Sequence, residues 1–257
     1  MSSLHSIVVG SNVTALGGAQ LRYAERDAVA LRDGITSQRL YDSVIQYTHI
    51  GRHAAQEVSV SVARATDSAG TEDAIMFFFA GHGLRELDDN DQQQLWLATG
   101  LRTNATTEGA AVLLADIFDT FCKSRAKSVT VILDCCFSGQ QGGRSILGPR
   151  ILSMLASGRP LLRVATPALS GEGRVVLSAS RHDQTAHETS IHRHGMFSHA
   201  LLMRLGQSQR ADRVDIASVY VDVRRVVLRL TNGGQCPTLF GGDQGAELPT
   251  IRLRRTR

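Results

Sequence analysis

Two apolar runs, each followed at once by a polar motif, constrain the fold of this chain more than any other feature of its sequence. Residues 74–80 read AIMFFFA and residues 129–133 read VTVIL. A half-exposed strand alternates apolar and polar side chains, whereas a strand in the interior of a parallel sheet is apolar on both faces. The two runs therefore predict central strands of a parallel sheet that is covered on both sides.

The rest of the sequence alternates between strand and helix character. The patterns predict three further strands, at 4–9, 44–50 and 174–179, and five helices, at 23–35, 53–65, 114–124, 197–205 and 216–230. Such alternation favours a mainly parallel sheet with helices on both faces. The predicted fold class is therefore α/β, a sandwich with a mainly parallel central sheet.

The 257 residues are enough for one α/β domain with a core of its own. Residues 139–173 differ from their surroundings because they are rich in glycine and proline, which is typical of a mobile connector. We therefore expect a single domain over 1–257, in which this connector joins a longer part, 1–138, to a shorter part, 174–257.

Composition argues against several classes of partner. The net charge of +4 is small and aromatic residues make up only 5% of the chain, so we expect no nucleic-acid partner. The longest apolar stretch is too short to span a bilayer, and the first residues do not resemble a secretory signal. The four cysteines show no paired spacing, which favours a reducing compartment and hence a cytoplasmic location, with no membrane partner.

His82 and Cys136 stand just past the two central strands, where parallel strands bring their carboxyl ends to one edge of the sheet. A cysteine nucleophile needs a nearby imidazole to take up and pass on protons. Gly83 and Gly139 allow close backbone approach, so that N–H groups there can bind an oxyanion. A cysteine taken singly is more often a packed side chain, but the pairing favours nucleophilic catalysis.

The two motifs, FFAGHG at 78–83 and LDCCFSG at 133–139, resemble those of the caspase-like cysteine peptidases. The second motif is similar to the D-x-C-x-S-G segment of metacaspases and their bacterial relatives. The likeness extends to four further segments, at 21–28, 178–186, 195–202 and 237–240. The resemblance implies that Cys136 attacks the scissile carbonyl and that His82 acts as base and then acid. It also implies an oxyanion hole made by the N–H groups of Gly83 and Cys136.

The resemblance further implies a substrate site. Metacaspases line the pocket for the residue before the cleaved bond, the P1 residue, with two acids whose positions match Asp27 and Asp134. Two carboxylates in a cleft suit arginine or lysine. A peptide is expected to lie as an added strand beside Ser178, Ala179 and Ser180. The alternative is that Asp27 caps or solvates a helix and Asp134 only braces a turn.

We expect neither a metal ion nor a cofactor. Calcium-dependent metacaspases carry a metal-ligating aspartate shortly after the nucleophile, but residues 137–150 include no acid. The acidic cluster at 88–91 lacks EF-hand spacing. Five histidines without zinc-site spacing are expected to form a surface patch on loops: His182, His187, His192, His194 and His199.

These features predict a cysteine endopeptidase that acts on protein substrates after basic residues. The alternatives are an Asp-specific protease, to which Arg22 would contribute a basic pocket, and a catalytically silent caspase-like adaptor. Bacterial relatives often serve in cell death or antiviral defence, so the resemblance implies such a role and a separate activator protein. The connector carries four arginines at which the enzyme is expected to cut itself: Arg144, Arg150, Arg159 and Arg163.

Overall fold

The computed structural model describes residues 2–13, 20–36, 41–87, 93–100, 109–137, 173–181, 184–207, 213–242, 246–249 and 251. The strands are β1 (Ser3–Gly10), β2 (Ser43–Ile50), β3 (Ala74–Ala80), β4 (Gly83–Leu87), β5 (Gln93–Ala98), β6 (Ala111–Leu113), β7 (Ser128–Asp134), β8 (Arg174–Ser178), β9 (Glu188–Thr189), β10 (His194–Gly195), β11 (Arg213–Asp215), β12 (Thr238–Gly242) and β13 (Glu247–Pro249). The helices are α1 (Ala24–Thr36), α2 (Ala55–Ser68), α3 (Leu114–Cys122), α4 (Met196–Gln207) and α5 (Ile216–Leu230).

A six-stranded sheet with the order β12-β8-β7-β3-β1-β2 forms the centre of the fold. Five strands are parallel, and β12 runs antiparallel to β8 at one edge. The apolar runs at 74–80 and 129–133 form the adjacent central strands β3 and β7. The predicted α/β sandwich with a mainly parallel sheet is therefore confirmed.

Two apolar cores lie on opposite faces of this sheet. Helices α1, α4 and α5 pack on one face, and α2 and α3 pack on the other. Along β3 the side chains alternate between the two cores: Met76 and Phe78 enter the first, whereas Phe77 and Phe79 enter the second. Full burial of each of these side chains contributes about 1.5–3 kcal/mol to the free energy of folding. This two-sided burial explains why β3 has no polar residue.

The structure departs from the sequence-based elements in several places, which include the short unpredicted strands β9, β10, β11 and β13. Helix α2 begins at Ala55 rather than at His53, because the backbone of Ala54 is extended, with ψ at 139°. A small antiparallel sheet of β4, β5 and β6 follows β3 and was not predicted. The edge strand β12 was not predicted either, since it includes two glycines that weaken its strand pattern.

Gly10 at the end of β1 allows helix α1 to cross the sheet closely. A Cβ atom at this position would lie 2.9 Å from the carbonyl oxygen of Ala24, which a real side chain does not tolerate. The close crossing fixes the first turns of α1, which carry Asp27, over the carboxyl ends of the strands.

The predicted parts 1–138 and 174–257 contribute neighbouring strands to one sheet, β7 and β8. Residues 139–172 of the predicted connector lie outside the described residues. Among the helices that the structure describes, none is long and apolar enough to cross a membrane.

Candidate active site

The two motif segments leave neighbouring strands at the same level. Strands β3 and β7 are paired in parallel, with Ala80 opposite Asp134. His82 and Cys136 each follow two residues later, and both are partly accessible to solvent. The register therefore brings the predicted base and the predicted nucleophile to one edge of the sheet on adjacent segments.

Gly83 lies in direct contact with the segment that carries Cys136. A Cβ atom at position 83 would lie 2.8 Å from the carbonyl oxygen of Cys136 and 2.7 Å from the ring of Phe137. Closer to the sheet, the N–H of Gly81 donates to the carbonyl oxygen of Asp134, at 3.2 Å. The two segments thus touch, and the predicted oxyanion donors, the N–H groups of Gly83 and Cys136, belong to them.

Two further contacts hold these segments in place. The carbonyl oxygen of His82 accepts a hydrogen bond from the N–H of Ala98, at 2.9 Å. The buried guanidinium of Arg85 donates from Nη2 to the carbonyl oxygen of Phe137. Burial lowers the pKa of Arg85 to about 10, so the side chain stays charged at neutral pH. The segment that follows His82 therefore fixes the position of Phe137, the residue after Cys136.

The side chains after β7 alternate between the two sides of the sheet. Cys135 and Phe137 are buried in the core beneath α2 and α3, whereas Asp134 contacts the start of α4 on the opposite side. Cys136 shares the side of Asp134 by this alternation. Burial raises the pKa of the Cys135 thiol well above its ordinary value, which makes this neighbour a poor nucleophile.

Asp27 and Asp134 meet at Gly195. Asp27 is only 2% exposed and Asp134 only 8%. The N–H of Gly195 donates to Oδ2 of Asp27, at 2.9 Å. A Cβ atom on Gly195 would lie 2.7 Å from Oδ2 of Asp134 and 3.2 Å from Oδ2 of Asp27. The structure therefore places the two predicted pocket acids side by side, although 107 positions of sequence numbering separate residues 27 and 134.

Both acids have hydrogen-bond donors from the chain around α4. The N–H of Ser198, at 3.2 Å, and its hydroxyl both donate to Oδ2 of Asp134. Nδ1 of His194 donates to Oδ1 of Asp27. Among the residues that the structure describes, none donates to Oδ1 of Asp134, so one oxygen of the pair is available to a ligand.

Burial perturbs the protonation of both carboxyls. Burial raises the pKa of Asp134 to about 7; the negative charge of Asp27 adds to the rise, and the hydrogen bonds from Ser198 oppose it. Burial likewise raises the pKa of Asp27 well above its ordinary range. Burial and the positive charge of Arg26 lower the pKa of His194, so its ring donates to Asp27 in the neutral form. A cation bound between the acids would favour their charged forms.

Ser178, Ala179 and Ser180 form the end of β8 and the two residues beyond it, and all three are buried. Ala179 has protein partners on both sides: its N–H donates to Leu133, at 2.8 Å, and its carbonyl oxygen accepts from Gln235, at 3.0 Å. The N–H of Ser180 has no acceptor within the described ranges. Ser178 is also paired on both sides, with Leu133 of β7 and Thr238 of β12, so neither Ser178 nor Ala179 offers a free edge to the predicted added strand.

Several residues of this site could not be predicted from the sequence. Arg85, Gly195 and Ser198 received no role, although the resemblance covered the segment that includes the last two. His194 was assigned to a surface patch, but it is partly buried against Asp27. No spacing rule points to these residues, because each acts through a contact that only the fold creates. The four connector arginines, at 144, 150, 159 and 163, lie outside the described residues.

Comparisons with known proteins identify the family and the fold. A family model described as "Caspase domain" matches residues 5–246. A solved structure of a Geobacter sulfurreducens protein superposes with a TM-score of 0.58 at 15% identity, covering 93% of this chain and 94% of that one. Caspase-1 from Spodoptera frugiperda superposes with a TM-score of 0.55 at 12% identity, covering 99% of this chain and 92% of that one. Among curated proteins, none matches the sequence.

Proposed function

The chain belongs to the caspase-domain family of cysteine-type peptidases, and from this premise we propose that it cleaves proteins after arginine or lysine. The observation that carries the specificity is the meeting of Asp27 and Asp134 at Gly195. Burial is the main cause of the raised pKa values of both carboxyls, and the negative charge of Asp27 adds to the rise at Asp134. A guanidinium or ammonium group at P1 would supply a positive charge that favours their charged forms.

In the proposed reaction, His82 takes the proton of the Cys136 thiol as Sγ attacks the scissile carbonyl carbon. The carbonyl oxygen becomes an oxyanion, which the N–H groups of Gly83 and Cys136 bind. His82 then gives its proton to the leaving amine as the C–N bond breaks, and a thioester remains on Cys136. Water, deprotonated by His82, hydrolyses this thioester and restores the thiol.

Asp134 and Asp27 have different roles in the proposed pocket. Asp134 lies two residues before the proposed nucleophile and keeps Oδ1 available, so it is the direct partner of the P1 group. Asp27 is held by His194 and Gly195 and supplies the second negative charge. A paired arrangement of this kind suits the planar guanidinium, which presents several donors at once.

Two alternatives remain open to test. An Asp-specific protease would have to accommodate a third carboxylate beside Asp27 and Asp134, and like charges at this distance repel strongly. A catalytically silent adaptor would have no need of both His82 and Cys136. We further propose, from the resemblance to bacterial relatives, that the enzyme acts in a cell-death or antiviral defence pathway under a separate activator protein.

The deciding experiment is turnover of matched fluorogenic peptides that end in Arg, Lys or Asp, by the wild type and by Cys136→Ala. We expect cleavage after Arg and Lys by the wild type only. Efficient cleavage after Asp, with none after Arg, would contradict the specificity. Equal turnover by Cys136→Ala would contradict the mechanism.

A further inference from the structure

The end of β2 and the start of α2 bring together three metal-ligating side chains, away from the proposed active site. They are His49 in β2, His53 in the turn that follows, and Glu57 in the first turn of α2. One potential ligand atom from each lies within 4.8 Å of the other two. Strand β1 separates β2 from β3, so β2 lies about two strand spacings, roughly 10 Å, from β3, the strand that ends two residues before His82.

Both ring nitrogens of His53 lie close to oxygen atoms. Its Nε2 lies 2.9 Å from the carbonyl oxygen of Ile50, which only accepts, so Nε2 carries a hydrogen. Its Nδ1 lies 3.0 Å from Oε2 of Glu57. Nδ1 and Oε2 therefore face each other as two potential ligands of one cation.

The separation of these two atoms is close to that of two ligands on one small metal ion. Tetrahedral zinc binds histidine nitrogen and carboxylate oxygen at about 2.0–2.2 Å, which places two ligand atoms about 3.3 Å apart. Only a small movement of the exposed Glu57 side chain converts the observed 3.0 Å into that spacing.

His49 is oriented in the way that metal-binding histidines are. Its Nε2 lies 2.9 Å from the hydroxyl of Ser61, and that hydroxyl donates its hydrogen to the carbonyl oxygen of Glu57. The hydroxyl must then accept from Nε2–H, which leaves the lone pair on Nδ1 for a ligand. In each histidine one ring nitrogen is thus held by a neighbouring oxygen, an arrangement that fixes the tautomer and orientation at metal sites.

We propose that His49, His53 and Glu57 form a binding site for a divalent transition metal ion of the zinc class. Two imidazole nitrogens and one carboxylate match the preferences of zinc and its neighbours, whereas calcium and magnesium prefer oxygen ligands throughout. Three protein ligands leave a fourth tetrahedral position for water. The side chain of Glu57 is 58% exposed, so both the ion and this water reach the site from solvent.

The test is the binding of Zn²⁺ alone, measured by equilibrium dialysis in a Cys136→Ala background. This background removes the thiol that zinc would otherwise take at the proposed active site, so the result does not depend on the proposed peptidase activity. We expect one ion per chain, and affinity at least about tenfold weaker in His53→Ala and in Glu57→Gln. The matched control is His192→Ala, which removes an exposed histidine of the surface patch predicted from the sequence and should leave the affinity unchanged.

Two outcomes would overturn the proposal. One is zinc affinity that is the same in His49→Gln, His53→Ala, Glu57→Gln and the background protein, and the other is a folded background protein that binds no zinc. Because Glu57 is exposed, Glu57→Gln keeps the experiment decisive even if a histidine variant fails to fold. Replacing zinc by Co²⁺ adds a spectroscopic check: nitrogen and oxygen ligands give no thiolate-to-cobalt charge-transfer band, and the appearance of that band would place the ion at a cysteine instead.

Discussion

Gly83 lies directly against the main chain of Cys136, since a Cβ atom at position 83 would be 2.8 Å from the Cys136 carbonyl oxygen. The carbonyl belongs to the backbone, which has less freedom to move aside than the tip of a long side chain. The separation of the His82 and Cys136 segments is therefore set by the absence of a side chain at this one position.

The first prediction is that Gly83→Ala lowers kcat/KM for Arg peptides at least about tenfold. The added methyl group separates the proposed base from the proposed nucleophile and costs about 1–3 kcal/mol of stability through overpacking. Steady-state kinetics and thermal unfolding measure the two effects. The matched control is Gly70→Ala, whose Cβ would meet only an oxygen of Asp73, at 3.5 Å. Equal activity of the two variants would show that the contact does not position the catalytic segments.

The second prediction separates the two adjacent cysteines. Cys136→Ala and His82→Ala should each reduce kcat at least about a thousandfold without loss of the fold. The reason is that removing either member of a catalytic pair abolishes nearly all of the activity of that pair. Cys135→Ala should keep most of the activity and lose about 1 kcal/mol of stability, since its thiol is packed in the core. Full activity of Cys136→Ala, measured with the same Arg peptide, would rule out the proposed nucleophile.

The third prediction concerns pH and the binding of a cation. The pKa of Asp134 is raised to about 7, so its carboxyl is largely protonated below pH 6 and largely charged above pH 8. A guanidinium ligand prefers the charged form, so the affinity for agmatine should rise as the pH increases through 7. Calorimetry with Cys136→Ala measures this binding without any reaction. In a Cys136→Ala/Asp134→Asn double variant the affinity at pH 8 should be lower, because only Asp27 is left to bind the cation; an unchanged affinity and pH profile would contradict the role of Asp134.

The fourth prediction concerns stability. Because the folded-state pKa of Asp134 lies above its ordinary value of 3.8, this group's contribution to the free energy of unfolding decreases as the pH rises from about 4 to about 7. Ser198→Ala removes a hydroxyl donor to the charged form and raises that pKa further. We expect a loss of about 1–3 kcal/mol at pH 8 and a smaller loss at pH 5, measured by urea unfolding.

The control for Ser198→Ala is Ser59→Ala, at an exposed serine whose hydroxyl bonds within its own helix. It should change stability by no more than about 0.5 kcal/mol at either pH. A loss in Ser198→Ala that is the same at pH 5 and pH 8 would show that the hydroxyl does not act through the carboxylate.

The fifth prediction is self-cleavage between residues 139 and 173. An enzyme with the proposed specificity should cut at Arg144, Arg150, Arg159 or Arg163, and the two fragments should stay associated because β7 and β8 are paired in one sheet. Intact-mass analysis of concentrated protein over time should show both fragments for the wild type and neither for Cys136→Ala. A wild type that cleaves Arg peptides yet stays whole would show that control lies elsewhere, with a partner.

The central strands could be predicted from the sequence because burial on both faces leaves a direct signature. The apolar run at 74–80 coincides with β3, residue for residue. The small sheet of β4, β5 and β6 leaves no such signature, since β4 mixes leucines with Arg85 and Glu86 in five residues. The start of α2 was misplaced because the backbone of Ala54 is extended, which the apolar spacing of the sequence does not reveal.

Local motifs and the family resemblance could predict which residues belong to the candidate site, but not all of the contacts that position them. His82 and Cys136 follow predicted strands, so their common edge follows from the topology. The contact between Asp27 and Asp134 depends on Gly195, and the bond from Arg85 to Phe137 depends on the unpredicted strand β4. Such contacts join distant segments and leave no periodic pattern in the sequence.

The hydrogen bonds at Asp27 and Asp134 can form only late in the synthesis of the chain. They span 168 residues between Asp27 and Gly195, and 64 residues between Asp134 and Ser198. A ribosome adds about 5–20 residues per second from the N-terminus onward, so His82 and Cys136 emerge seconds before the segment that fixes the acids. A nascent chain of a peptidase with the proposed specificity therefore carries its nucleophile and base before its specificity pocket is complete. For such a peptidase, cleavage after basic residues would begin only once the segment that carries Gly195 and Ser198 has been made.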